Sequence, residues 1–269
     1  MGASAFFLPL EAGGRFCIHH APSGGPEGRP GIVYVHPFGD EMNKARRMAA
    51  LQARRLASLG WSVLQIDLYG CGDSAGEFGD ARWEIWMRDV KAAMGWLGER
   101  GAGSLSLWGL RLGATLACEV TREAPVEALV LWQPVVAGEQ LVTQFLRTRL
   151  ASEMLAGGAA TSALKQLRAE LAQGRTLEVA GYELHPDLAA AIARLDITDT
   201  PPAAARIHWM EVMPEAGAPL RPASGRVAEA WRSAGRELAP VTVAGEPFWS
   251  TIEIAECEAL LDATSDALR

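Results

Sequence analysis

Short apolar runs, each bounded by glycine or charge and each followed by a stretch at helical spacing, constrain this chain more than any other feature. Such alternation is the rhythm of strand, helix, strand in a mostly parallel sheet, and predicts a doubly wound α/β domain. An opening hairpin is expected from Phe6 to Ala21, before the buried run Gly31 to His36. A helix over Met42 to Leu59 carries Lys44, Arg46, Arg47, Arg54 and Arg55. Then follow a strand at Trp61 to Asp67, a helix at Arg82 to Arg100, a strand at Ser104 to Trp108, a helix at Ala114 to Ala124 and a strand at Ala128 to Val136.

From Gly138 to Ala205 the pattern turns to helical spacing with no convincing strand, as in Leu141 to Met154 and Ser162 to Ala172. This predicts a helical cap, residues 138–205, inserted into a core made of residues 1–137 and 206–269. The core resumes with a strand at Arg206 to Val212, a helix at Ser224 to Gly235, a strand at Pro240 to Ala244 and a closing helix at Ile252 to Leu268.

Composition narrows the partners. With 49% hydrophobic residues in 269, the chain can build a large core. Its net charge of -7 leaves no basic surface to neutralise nucleic-acid phosphates or anionic lipid heads. Neither nucleic acid nor a membrane surface is expected. Cys17, Cys71, Cys118 and Cys257 lie far apart without a CxxC pair, which argues against a zinc site or a disulfide framework. The start, Met1 to Glu11, has no basic segment before its apolar stretch, and no run reaches the roughly 20 apolar residues of a membrane span. A cytoplasmic protein without cofactor is expected.

The chemistry concentrates at three strand ends. Gly109-Leu110-Arg111-Leu112-Gly113 lies between a strand and a helix, the context of a nucleophile elbow, where flanking glycines allow close approach and the central side chain stands above the sheet. His36-Pro37-Phe38-Gly39 follows the first buried strand, where an oxyanion-hole loop would lie, and Asp67 to Gly76 follows the next. Together these resemble the α/β-hydrolase superfamily over nearly the whole chain. At closer range, the stretch His36 to Arg47, the segment Gln144 to Arg147, Glu178 to Leu184 and Gly245 to Trp249 resemble the second hydrolase family associated with the bacterial exosortase A system. That resemblance implies a companion hydrolase of the same system as a partner, and a setting of acyl-activating and exopolysaccharide functions.

The residues depart from the superfamily pattern where catalysis would occur. Arg111 stands at the elbow centre, and a guanidinium with a pKa above about 12 is no nucleophile. After the last strand, where the catalytic His belongs, the chain reads Gly245-Glu246-Pro247-Phe248-Trp249. His19, His20, His36, His185 and His208 all lie elsewhere, so Glu215, at the acid's position, has no His to orient. Ser74 satisfies GxSxG literally, but several residues separate it from its strand and no helix follows, so it reads as a structural turn. His36 reads as a loop His bonded to backbone, Cys71 as an inert small residue and His208 as a core histidine; most of the nine Trp should fill the core. Glu41, Arg46 and Arg47 form either an ion-pair network or a solvated face.

Two readings of Arg111 remain open. It can be half of an anion site at a helix N-terminus, or it can be neutralised internally by Glu246 or Glu215. Both give a degenerate triad, with Arg111, Glu215 and Phe248 at its three positions, and leave a pocket for a small acyl or anionic ligand. Its expected lining is His36, Phe38, Arg111, Leu112, Glu246 and Trp249. The alternative is an active esterase or thioesterase that uses a non-standard site, such as water activated by a carboxylate.

Overall fold

The computed structural model describes residues 2–24, 27–155 and 163–269. A hairpin of β1 (Ala3–Leu10) and β2 (Gly13–His20) turns at Ala12 and Gly13, both at positive φ, and lies at one edge of the sheet. Then come β3 (Pro30–Val35), α1 (Asp40–Ser58), β4 (Ser62–Ile66), α2 (Trp83–Glu99), β5 (Ser104–Leu110), α3 (Leu112–Glu123) and β6 (Val126–Trp132). After an inserted segment the core closes with β9 (Ala204–Met213), α7 (Pro222–Ser233), β10 (Leu238–Ala244) and α8 (Glu258–Ala267). The eight strands lie in the order β1-β2-β4-β3-β5-β6-β9-β10, parallel from β4 to β10 and antiparallel at the hairpin edge. This is the α/β-hydrolase fold, a mostly parallel sheet with flanking helices.

Period-two alternation explains why the sheet is covered on both faces. On β3, Ile32 and Tyr34 join the apolar layer beneath α1 and α8, whereas Val33 and Val35 join the layer beneath α2 and α3. The first layer is rich in Trp108, Trp132 and Phe248; the second extends into the inserted segment through Leu146, Leu188 and Ile192.

The inserted segment comprises α4 (Gly138–Leu155), α5 (Ala163–Ala172), a hairpin of β7 (Leu177–Val179) and β8 (Tyr182–Leu184), and α6 (Pro186–Ala193). The hairpin corrects the expectation of no strand there: its three-residue strands are below the length at which alternation is legible, and Ala180 and Gly181, both at positive φ, turn it. The expected helix start at Ser162 falls outside the described residues. A second correction concerns the last helix, which begins at Glu258 and not at Ile252. Residues 245–257 are mostly irregular, with Ile252 almost fully exposed, because Pro247, Ser250 and Thr251 favour turns and no apolar face at helical spacing repays ordering. No helix among the described residues is long and apolar enough to cross a membrane.

The packing of β5 and α3 against β3 sets the tolerance of the whole sheet. A Cβ on Gly113 would stand 2.3 Å from the Val35 carbonyl oxygen and 2.4 Å from that of His36, both immobile backbone atoms. Gly113→Ala is therefore expected to lose at least about 3 kcal/mol in urea unfolding, in the range of severe overpacking. Gly95→Ala, in the middle of α2 with nothing within 4 Å of the added carbon, is expected to gain about 0.5 to 1 kcal/mol.

Candidate functional site

The site is built on the turn from β5 to α3. Arg111 is the N-cap of α3 and has φ 56° and ψ -120°, a conformation that costs a non-glycine residue about 1 to 3 kcal/mol. Its amide donates to the Trp132 carbonyl at 2.9 Å, and its own carbonyl accepts from Ala114 at 3.1 Å. Gly109 permits the turn, since a Cβ there would lie 2.5 Å from Ala114. Leu112 and Gly113, in the first turn of α3, present amides without helical acceptors, the positive end of the helix dipole.

Arg111 is mostly buried, and its counter-charge is Glu41 in the first turn of α1: Nε donates to Oε1 at 3.2 Å. This corrects the expected pairing with Glu246 or Glu215, both of which are exposed on loops after β10 and β9. Burial pushes the Glu41 carboxyl above its ordinary value although the Arg111 charge opposes the shift, and its Oε2 is buried without a partner. The guanidinium lies 5.7 Å from the centroid of the Trp249 ring. Its Nη groups have no protein acceptor among the described residues.

A cavity of about 350 Å³ opens in front of Arg111, lined on its polar side by Gln133, Glu211, Arg221 and Ser224 and on its apolar side by Val135 and Trp249. Gln140 and Gln144 of α4 form its rim. Of the residues expected to bind a ligand, this cavity gathers Arg111 and Trp249. His36, Phe38 and Leu112 are buried around a separate void of about 10 Å³, hardly room for one water. Phe38 fills that side, packing 4.9 Å from Phe145 and 5.4 Å from Phe78 between ring centroids. Phe248, expected at the position of a catalytic base, is fully buried and packs edge-on against Trp132 and Trp249 as part of the core.

The surrounding polar groups are committed to structure. His36 Nδ1 donates to the Pro37 carbonyl at 2.8 Å and Nε2 accepts from the Leu68 amide at 3.1 Å. Ser74 Oγ donates to the Asp67 carbonyl at 2.5 Å and accepts from the Phe16 amide at 2.8 Å, which ties the glycine-rich loop to the sheet. Burial pushes the Cys71 thiol far up, so it is not a thiolate. His208 is the exception and departs from a satisfied core histidine: it is half-buried on β9, burial pushes its ring toward the neutral form, and its Nε2 is buried without a partner. Arg46 pairs with Asp67 at 2.9 Å and Arg47 with Glu256, so Glu41, Arg46 and Arg47 of α1 go to three separate partners. Among the described residues no group of three or more His, Cys, Asp or Glu is placed to hold a metal ion.

Sequence reasoning passed over Gln133, Glu211, Arg221 and Ser224. Glu211 had a signal: it is a lone charge inside the apolar run Ile207 to Met213, and a buried strand keeps a carboxylate only where donors await it. It is 1% exposed, and accepts from Trp209 Nε1 at 3.2 Å and from the Arg221 amide at 3.3 Å.

The family model described as Hydrolase_4: Serine aminopeptidase, S33 matches residues 27–195. Among solved structures, the esterase Est1E from Butyrivibrio proteoclasticus with bound ferulic acid is similar, with a TM-score of 0.72 and 16% identity over 98% of each chain. A proline iminopeptidase-related protein from Thermus thermophilus has a TM-score of 0.62 and 20% identity, covering all of this chain and 98% of its own. A serine hydrolase without lid from Xanthomonas campestris has a TM-score of 0.60 and 15% identity over 99% of this chain and 91% of that one. No curated protein matches the sequence.

The two bonds of His36 fix one neutral tautomer, and burial lowers its pKa below the usual 6.5. An unfolded chain then takes up this proton at a higher pH than the folded one, so the His36 contribution to stability is present above about 6.5 and is lost as pH falls. In a histidine NMR titration the His36 midpoint is expected to fall below the usual 6.5, with the neutral ring protonated on Nδ1. A midpoint at or above 6.5 would contradict the bonding described.

Proposed function

We propose, on the premise that this chain belongs to the Hydrolase_4 (serine aminopeptidase, S33) family of α/β hydrolases, that it has kept the fold and site of a hydrolase without serine hydrolysis. In its place the site binds a small acyl or anionic ligand. One observation carries this reading: the elbow holds an ion-paired arginine and the position of the base holds a buried phenylalanine. The triad-equivalent set Arg111, Glu215 and Phe248 therefore contains neither nucleophile nor base. The free end of the Arg111 guanidinium, at the cavity wall, supplies the cation and donors an oxyanion needs.

Residues 138–205 act in this reading as a cap over the core of residues 1–137 and 206–269, since Gln140, Leu141 and Gln144 of α4 close one side of the cavity. The resemblance to the second exosortase A-associated hydrolase makes the companion hydrolase of that system the proposed protein partner, in the cytoplasm. A second reading, residual hydrolysis by a carboxylate-activated water, is favoured only by Glu41, whose raised pKa and unpartnered Oε2 suit a base.

Purified protein is expected to hydrolyse p-nitrophenyl esters no faster than a heat-inactivated sample. A turnover near about 1 per second, ordinary for an enzyme, would overturn the reading if Glu41→Gln or Ser74→Ala abolished it. Arg111→Ser restores a hydroxyl at the elbow and is expected to remain inactive, since no His can deprotonate it. The same variant strands the Glu41 carboxylate and should lose on the order of 2 kcal/mol, less than a fully buried pair because both partners keep some exposure. Adding Glu41→Gln to it should recover part of that loss in a double-mutant cycle.

A further inference from the structure

The cavity has a second recognition pole, remote in sequence from Arg111. Gln133, directly after β6, is 3% exposed; its Oε1 accepts from the Val212 amide at 2.9 Å, while its Nε2 has no protein acceptor among the described residues. Ser224, in the first turn of α7, is 4% exposed, and its hydroxyl also lacks a protein partner among the described residues. Arg221, the N-cap of α7, lines the same cavity, and its guanidinium makes no ion pair among the described residues. Both residues are buried, yet neither has a polar atom sealed away without a partner, so their unspent donors open into the cavity, where the acceptors of a ligand can complete them.

Resting on the reading that Arg111 binds an anion, we infer that the ligand carries a second carboxylate for this pole, and is a small aliphatic dicarboxylate. Arg111 offers its Nη end as a planar fork to one carboxylate, its Nε edge being taken by Glu41. Gln133, Ser224 and Arg221, with the positive end of the α7 dipole, receive the other. Glu211 limits the charge accepted there: its oxygens are spent on Trp209 and the Arg221 amide, and this fixed anion disfavours a doubly charged phosphate more than a singly charged carboxylate. The stem crosses the Val135 and Trp249 wall. A volume of about 350 Å³ is near the lower end for ligand pockets, which restricts the stem to roughly four to six carbons in all.

Isothermal titration of the whole protein at neutral pH and low salt, with succinate, glutarate and adipate against butyrate, valerate and hexanoate, tests this. The best diacid is expected to bind at least about tenfold more tightly than its monoacid, the scale of one charge-assisted pole. Arg221→Gln and Ser224→Ala should each reduce that ratio by weakening the diacid more than the monoacid, and Arg111→Gln should weaken both classes. Thermal melts establish that each variant is folded. If monoacids bind as tightly as diacids, or if neither variant at the second pole moves the ratio, the second carboxylate is refuted while the anion site at Arg111 stands. If phosphoglycolate binds more tightly than every diacid, the pole is a phosphate site and the dicarboxylate assignment fails. If nothing binds, both the anion reading and this extension of it are overturned.

Discussion

The close approach of β5 and α3 to β3 governs everything functional in this molecule. Gly109 and Gly113 bring the helix so near the strands that its first turn opens at the carboxyl edge of the sheet, and the residue between them is forced to positive φ. Whatever side chain stands at position 111 is thereby aimed into the crevice beyond the strand ends, where open α/β sheets bind ligands. The chemistry of the site then depends on that one side chain. A serine there would need a base; an arginine needs a counter-charge.

That need organises the neighbourhood. Desolvating a guanidinium costs several kcal/mol unless an anion accompanies it, and Glu41 supplies one from the start of α1, 70 residues away in the chain. Glu41 is itself held by the helix: acidic side chains in a first turn lie favourably in the dipole. Its carboxyl nevertheless remains hard to ionise, because burial outweighs its one charged bond. Arg111 bonds this carboxyl through Nε alone. Its Nε edge belongs to the internal ion pair and its far end lines the cavity, so the proposed anion site and the ion pair are compatible in one side chain.

Much of this was legible in the sequence because it rests on local patterns. The elbow glycines, the glycine-rich loop after β4 and the missing His beyond β10 all sit within a few residues of a recognisable strand end. Glu41 and Arg111 were each visible as candidates, but their pairing was not, since a contact between the starts of two distant helices leaves no local periodicity. The same holds for Gln133, Arg221 and Ser224, which meet only because β6 and β9 are neighbours in the sheet. Phe38 and Leu112 lie away from the cavity in front of Arg111 for a packing reason: Phe145 from the inserted segment closes that side with an aromatic contact that no spacing rule anticipates. Ile252 and Ile254 looked like the first turn of a helix because apolar residues suggest burial, yet both are exposed.

The backbone at residue 111 bears on why an arginine is there at all. Glycine adopts φ near +56° without penalty, whereas arginine accepts a cost of about 1 to 3 kcal/mol. A merely decayed elbow has no use for such a side chain, and glycine or a small residue would relax the turn. The guanidinium bonds Glu41, packs near Trp249 and lines a cavity that Gln133, Arg221 and Ser224 also line. A carboxylate left alone at Glu41 would be worse placed than the pair, and a cation left alone at the cavity floor would be worse still. On the proposed reading, the strained turn that holds a nucleophile in a hydrolase holds a charge here.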